Sequence, residues 1–366
     1  MSNSASRSRE VMKKIIKMAR STIGDFKAMN NPNLNIPVRS LSNIIFSEER
    51  GMIEMGDKTQ ERLFFHQGMS KKFMQTFLVA SACTELLKVE KTTSIRDLFY
   101  MTKHTLSRGE NTFDDQSESD VIIEDIEVSM GALREELHLF ASNRGTMVGN
   151  LTLVDSGDTI NARKIGSGGW GIPSIVEDNV IKFKNCDADF ILLIEKDAVW
   201  RRLNEDKFWK KHNCIMIQSQ GQTSRGVRRL IRRMHDELNL PVYVLVDNDP
   251  WGLYIYSVIK QGSINLAYES VRMAIPDARF LGLSSFDREK FDLPDVVTIS
   301  LDKNDEKRAK QMLAYPWFKE AKWQKELKKL LDSRVKLELE ALSAKGISFI
   351  SESYLPEKIS SGDYLD

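Results

Sequence analysis

From about residue 180 onward the chain alternates between two hydrophobic rhythms. Short apolar runs, "DFILLI", "CIMI" and "VYVLV", each give way to a stretch with helical spacing, "KDAVWRRL", "TSRGVRRLIRRM" and "PWGLYIYSVIK". A continuous apolar run marks a strand buried on both faces. Three strand–helix units in succession predict a Rossmann-like parallel sheet covered by helices. The tail "WQKELKKLLDSRVKLELEALSAKG" predicts one long amphipathic helix ending at Gly346, and "ISFISESYLPEKI" closes the domain.

Upstream the pattern is different. Residues 5–27 predict a basic amphipathic helix with Val11, Met12, Ile15, Ile16 and Ala19 on one side, broken by "NNPNLNIP". "NIIFSEERGMIEMG" predicts a hairpin around Gly51. "SKKFMQTFLVASACTELLKV", N-capped by Ser70, then "SIRDLFYMTKHTL" and "ESDVIIEDIEVSMGALREEL" predict three helices, followed by strand-like "LHLFAS" and "TMVGNLTLVD" flanking a turn. Helix, turn, helix, helix, hairpin is the order of a winged helix-turn-helix. The expected organisation is an N-terminal arm at 1–66, a winged-helix domain at 67–155, and an α/β domain with C-terminal helices at 156–366.

The parallel-sheet reading gives the acids their meaning, because ligands of such sheets gather beyond the carboxyl ends of the strands. Glu195, Asp247 and Asp249 all fall at predicted strand ends, and Asp247 and Asp249, two apart, share one side of an extended chain. Acids also cap helices, but Glu195 with Asp197 and Asp247 with Asp249 make capping alone strained. A hard cation such as Mg²⁺, which takes oxygen ligands and is completed by substrate phosphate, fits better. "DNDPWG" is not an EF-hand start, because Trp251 and Val258 stand at the fifth and twelfth places, where Asp or Asn and Glu are required. "GSGGWG" satisfies a dinucleotide fingerprint but no helix opens after it, so it reads as a tightly turning loop.

Two basic features remain. Arg225, Arg228, Arg229, Arg232 and Arg233 follow helical spacing on one face, opposite an apolar stripe of Val227, Leu230, Ile231, Met234 and Leu238. Backbone phosphate is the natural counter-charge for such a face, with acids elsewhere in the protein as the alternative. In "IRDLFYMTKH", Arg96, Tyr100, Lys103 and His104 share a face by the same spacing. A phenol among cations suits nucleophilic attack on a phosphodiester.

Composition sharpens this picture only locally. Apolar content of 41%, charged content of 29% and a net charge of +1 are ordinary for a soluble protein. Residues 1–30 carry seven Lys/Arg against two acids, and residues 114–136 carry nine acids and one Arg. No run of about 18 apolar residues predicts a membrane span, and "MSNSASRSREVMKK" lacks the apolar core of a secretory signal. Cys83, Cys186 and Cys214 are expected to be reduced and buried in a cytoplasmic protein.

The motifs together resemble the A subunit of archaeal topoisomerase VI, a type IIB topoisomerase family that also includes the eukaryotic meiotic double-strand-break protein. "RDLFY" resembles its catalytic tyrosine motif, and "LLIEKDAVW" and "VDNDPWG" resemble the glutamate and Asp-x-Asp motifs of its Toprim domain. "NARKIGSGGWGIPS" and "SYLPEKI" are also similar to family segments. The resemblance implies a winged-helix (CAP-like) domain and a Toprim domain, with Tyr100 as nucleophile, Arg96 as its helper, and Glu195, Asp247 and Asp249 holding Mg²⁺. Independently of the resemblance, the helical spacing of the basic residues makes Lys103, His104, Arg225, Arg228, Arg229 and Arg232 the expected further DNA contacts. Double-stranded DNA would be the substrate of a homodimer in which the tyrosine of one protomer meets the acids of the other. A GHKL-type ATPase B subunit would complete an A2B2 heterotetramer, bind the ATP, and dock on the basic N-terminal helix. This chain has no P-loop, in keeping with that division of labour. "QSQGQTSRGVRR" departs from the family's glycine-rich turn by lacking a Pro-Asp pair, so loop contacts there are not carried over. A break-forming relative without regular resealing, and a non-catalytic winged-helix DNA-binding protein, are the alternatives.

Overall fold

The computed structural model describes residues 3–366, with side chains from Arg7 onward; Met1 and Ser2 of the expected arm lie outside the described residues. The chain divides into two compact units, one of residues up to 43 with 55–142, the other of 44–54 with 143–366.

The first unit is mainly helical. The Asn3–Lys27 helix is not a separate arm, because its Val11 and Ile15 are buried in the same cluster as Val79, Cys83, Leu98, Ile122 and Ile126. That cluster is shared by the helices Ser70–Val89, Ile95–Thr102 and Gln116–Met130. Each has a local reason to stop or start. Ser94 caps the second by accepting the Asp97 N–H at 3.0 Å, and Gly131 ends the third in a left-handed conformation. Ser70 is the first helical residue rather than the cap, which is Met69. Beside the helices, Asn33–Pro37 pairs antiparallel with Thr59–Leu63. Arg62 reaches from this ladder to Asp125 at 2.6 Å, and Arg39 reaches the same carboxylate at 2.9 Å.

The second unit is an α/β sheet. Its order is Trp170–Gly171, Thr146–Gly149, Cys214–Gln218, Phe190–Ile194, Val242–Leu245, Arg279–Gly282. The last four are mutually parallel, as expected, and every residue of Phe190–Ile194, Cys214–Gln218 and Val242–Leu245 is buried. Thr146–Gly149 joins antiparallel. A separate three-stranded antiparallel sheet is built from Ile181–Cys186, Leu151–Asp155 and Asp158–Asn161.

Three expectations change. The strands around residue 143 form no wing hairpin: Leu139–Phe140 pairs in parallel with Thr93–Ser94, while Thr146–Gly149 enters the second unit's sheet. The unit boundary therefore falls at 142/143, because main-chain pairing outweighs the local turn signal. The hairpin Ile44–Ser47 with Met52–Met55 forms around Gly51 (φ +62°), but most of it belongs to the second unit. The long terminal helix stops at Ser333; Arg334 turns left-handed, and Val335–Lys336 pairs with Ile299–Ser300.

Asp125→Ala removes a carboxylate that is 5% exposed and leaves the 6% exposed Arg62 side chain without that ion partner. The expected loss is about 3–5 kcal/mol, read from the urea midpoint of the helical unit; a shift below about 1 kcal/mol would show that the pair contributes little.

Candidate active site

The acids stand where the sheet predicts. Glu195 directly follows Phe190–Ile194 and its N–H donates to the Leu245 carbonyl at 3.1 Å, so the main chain locks adjoining strand ends together. Asp247 is 6% exposed. Its Oδ1 accepts the Leu339 N–H at 2.7 Å and its Oδ2 lies 3.0 Å from Lys196 Nζ. Asp249 is the N-cap of Pro250–Lys260, accepting the Gly252 N–H at 2.6 Å. Gly252 is required, because a Cβ there would lie 2.4 Å from the Asp247 carbonyl oxygen. Asp197 is turned away, accepting from Gln218 Nε2 at 2.8 Å and pairing with Arg201 at 2.6 Å.

Asn248 faces the opposite way from its acidic neighbours. Its amide donates to Glu326 Oε1 at 2.9 Å, and its main chain exchanges hydrogen bonds with Leu337 at 2.9 and 3.1 Å. Glu326 is fully buried and also accepts the Ser285 N–H at 2.7 Å; burial pushes its carboxyl upward. It therefore fixes the Asp-Asn-Asp turn from behind.

The electrostatics are those of crowded acids. Burial, then the charges of Asp247 and Asp249, push Glu195 up to about 7. Burial pushes Asp247 up to about 6 and raises Asp249 as well. Glu195 Oε2 is buried with no hydrogen-bond partner. Burial works against the Lys196 ammonium, but Glu340, Asp247 and Glu338, at 2.8, 3.0 and 3.0 Å, outweigh it and hold it charged. Among the described residues no three His, Cys, Asp or Glu groups stand already closed around a metal position. The donor set nevertheless fits a hard cation: three carboxylates at adjoining strand ends, one with an unpartnered buried oxygen, and all three raised above the usual carboxylate range, chiefly by burial.

Tyr100 lies in the other unit. Leu98 and Phe99 turn inward while Tyr100 is 59% exposed, its ring edge-on to Phe99 at 5.1 Å. Arg96, one turn earlier, is also exposed. Lys103 and His104 do not continue that face. The helix ends at Thr102, whose carbonyl accepts the Thr112 hydroxyl, and the same hydroxyl oxygen accepts the His104 N–H.

The arginine helix, Arg225–Leu238, is satisfied internally. Arg225 pairs with Glu269, Arg229 with Glu177 at 3.1 Å, Arg232 with Asp236 at 2.7 Å and Arg233 with Glu237 at 2.6 Å; Arg228 is buried. The expected phosphate-binding face instead fastens the helix to the segments carrying Glu177 and Glu269. Of the predicted apolar stripe, Val227, Leu230, Ile231 and Met234 are fully buried and Leu238, in the last turn, is half-buried. "GSGGWG" forms a turn, with Gly166 and Gly169 at positive φ and Trp170–Gly171 on the sheet edge. Of the cysteines, all free, Cys186 is only half-buried. No helix among the described residues is long and apolar enough to cross a membrane.

Sequence reasoning missed Lys196 and Glu326. Glu326 left a readable signal: it occupies the apolar stripe Trp323, Leu327, Leu330, where an acid must have a buried partner. Lys196, between two acids in sequence, left none that separates it from a solvated lysine.

Three family models match successive stretches of the chain. A type IIB DNA topoisomerase model covers residues 71–139, an all-beta domain model of the DNA topoisomerase VI alpha subunit covers 143–187, and the Toprim domain model of the topoisomerase 6 A-subunit/Spo11 family covers 190–359. Relatives extend the likeness over almost the whole length. The A subunit of type 2 DNA topoisomerase 6 from Pyrococcus abyssi is 43% identical over 366 residues, covering 97% of this chain and 95% of the relative. Those of Saccharolobus shibatae and Methanocaldococcus jannaschii are 42% and 36% identical, covering 91% and 96% of this chain and 90% and 95% of the relatives. The chain belongs to the topoisomerase VI A-subunit family of type IIB DNA topoisomerases.

The acid cluster has measurable consequences. Raised carboxyl pKa values mean that the folded, metal-free protein holds these protons more tightly than the unfolded chain, so their contribution to stability falls as pH rises from the ordinary carboxylate range toward about 7. A cation must displace the protons, so the rise in melting temperature on adding Mg²⁺ should be small near pH ~5.5 and larger near pH ~8, and Glu195→Gln should flatten that dependence. A Mg²⁺ effect equal at both pH values would contradict the cluster. Glu326→Gln should be tolerated, since one oxygen accepts both hydrogen bonds and the other has no partner. Glu326→Ala should cost about 1–3 kcal/mol in thermal or urea unfolding and weaken Mg²⁺ binding, by leaving Asn248 and Ser285 unsatisfied.

Proposed function

We propose that this chain is the DNA-cleaving subunit of an ATP-dependent type II topoisomerase, with Tyr100 as nucleophile. The observation that carries the reading is the set of mutually repelling acids Glu195, Asp247 and Asp249, of which Asp247 is buried and the other two half-buried, with an unpartnered Glu195 oxygen. The exposed Tyr100 with Arg96 in a family member agrees with it.

The Tyr100 hydroxyl attacks a backbone phosphorus, forming a phosphotyrosine bond to the 5′ end. The bond to the 3′ oxygen breaks, and that oxygen leaves with the electron pair and takes up a proton. Arg96 offsets charge on the non-bridging oxygens, and the packed Phe99 beneath Tyr100 limits the ring's motion. Glu195, Asp247 and Asp249 would hold Mg²⁺, which when bound would supply positive charge for the phosphate and the leaving oxygen. Lys196 holds Asp247 charged and neutralises part of the acid cluster when no cation is bound. One ester replaces another, so the 3′ hydroxyl reseals the strand by the reverse step without an external energy source for ligation.

Paired cuts in a duplex need two copies of the chain, so we infer a homodimer in which the tyrosine of one protomer serves the acids of its partner. The relatives carry the name of an A subunit, and by extension an ATPase B subunit in an A2B2 assembly would drive passage of a second duplex, relaxing supercoils and decatenating DNA. Ile16, Ile23 and Phe26 are exposed on the N-terminal helix at spacings of seven and three, which supports residues 1–30 as the dock for the B chain.

Tyr100→Phe should abolish covalent protein–DNA complexes while changing duplex affinity by less than about twofold, since the phosphate contacts remain. Covalent linkage that persists assigns the nucleophile elsewhere. With B subunit, ATP and Mg²⁺, supercoiled plasmid should yield relaxed circles; linear product alone would favour a break-forming enzyme. Asp247→Ala should remove metal-dependent cleavage altogether.

A further inference from the structure

The arginine helix and a second basic stretch look alike in sequence, and the structure separates them. Residues 303–334 contain ten Lys/Arg and five acids, and two of those acids, Asp305 and Glu326, are buried. They form the helices Lys303–Ala314 and Ala321–Ser333, which pack against one another. Lys303, Lys307 and Lys310 line one open hollow of about 450 Å³. Lys325, Lys328 and Lys329 line another of about 810 Å³, with Phe286. Lys310 is paired with Glu306 and Lys329 with Glu289, at 3.3 and 2.7 Å. Lys303, Lys307, Lys325 and Lys328 are exposed and, among the described residues, have no carboxylate partner.

We propose that this lysine face is a second, sequence-independent contact surface for the phosphate backbone of duplex DNA, built from residues other than the tyrosine and the acids. Charge complementarity chooses the occupant. The spacings 303, 307, 310 and 325, 328, 329 place each set on one helical face. Flexible, hydrated ammonium groups suit a polyanion whose phosphates recur along a groove. A protein partner is disfavoured, because protein interfaces are depleted in lysine and enriched in aromatic anchors. None of the exposed large hydrophobic side chains among the described residues belongs to either helix. A single strand is disfavoured too, since bases bind by stacking on open aromatic faces. Lys325 and Lys329 stand 5.0 and 4.7 Å from the centre of the Phe286 ring and occupy that role themselves.

This inference rests on duplex DNA being the substrate, as proposed above, but not on Tyr100 being the nucleophile. The test is affinity of the full chain for a short fluorescent duplex, by anisotropy, without divalent metal so that cleavage plays no part. The variant carries Lys303→Ala, Lys307→Ala, Lys325→Ala and Lys328→Ala, compared with the same four positions changed to Arg. Between about 50 and 200 mM salt, the slope of log affinity against log salt should become shallower by about 0.9 for each phosphate no longer neutralised, up to about 3.6 for all four lysines. Affinity at about 100 mM salt should fall about tenfold or more, and the Arg set should keep both. Unchanged slope and affinity in the Ala set overturns the proposal, as does loss of B-subunit assembly with duplex affinity intact, which would assign the face to a protein. If the Ala set melts early, the Lys325→Glu and Lys328→Glu single variants carry the test, each expected to weaken duplex binding with a shallower slope. The same slopes in a Tyr100→Phe background keep this outcome separate from that of the cleavage reading.

Discussion

Holding three carboxylates close together inside a protein is unfavourable, and much of the second unit is arranged around that constraint. Glu195, Asp247 and Asp249 lose hydration at the end of the sheet and repel one another. The fold offsets this with what surrounds them. Lys196 stands against Asp247, the Leu339 N–H reaches the same carboxylate, and the first turn of Pro250–Lys260 receives Asp249. The cluster still leaves one Glu195 oxygen without a partner. A site that is stable but electrostatically incomplete is poised for a cation rather than sealed by the protein.

The same constraint explains the path of the chain after residue 333. A helix continuing to Gly346 would carry Leu337 and Leu339 away from the acids. The left-handed Arg334, the short ladder to Ile299–Ser300 and the main-chain exchange between Leu337 and Asn248 bring the Leu339 N–H to Asp247. Glu326 completes the support by gripping Asn248 from the preceding helix. The two aspartates are thus held by backbone and buried groups, which lose little conformational freedom when a ligand arrives.

The tyrosine unit is built on the opposite principle. Its helix buries Leu98, Phe99 and Thr102 and leaves Tyr100 and Arg96 in solvent. In the proposed reaction a nucleophile reaching a backbone phosphate would benefit from access, whereas acids holding a cation would benefit from low dielectric and fixed geometry. The two basic stretches show a similar contrast. Arginine's fork suits internal ion pairs, and the Arg225–Leu238 helix spends its guanidiniums on Glu177, Glu269 and carbonyls. The lysines of the 303–334 stretch remain at the surface.

What the sequence by itself determined is local and periodic. The parallel strands follow from continuous apolar runs, and the acids at their ends, the shared face of Arg96 and Tyr100, the apolar stripe of the arginine helix and the hairpin at Gly51 follow from spacings of two or 3.6 and from turn residues. What only the tertiary structure decided depends on partners far away in the chain. Whether Arg229 meets phosphate or Glu177, whether Thr146–Gly149 folds back as a wing or joins Cys214–Gln218, and whether residues 334–339 stay helical or turn to Asn248 are set by long-range pairing. Local propensities differ by a fraction of a kcal/mol per residue, and a buried ion pair or a strand ladder outweighs them. Charge patterns are the least legible of all, because a lysine or arginine reads the same until the structure shows what stands opposite it.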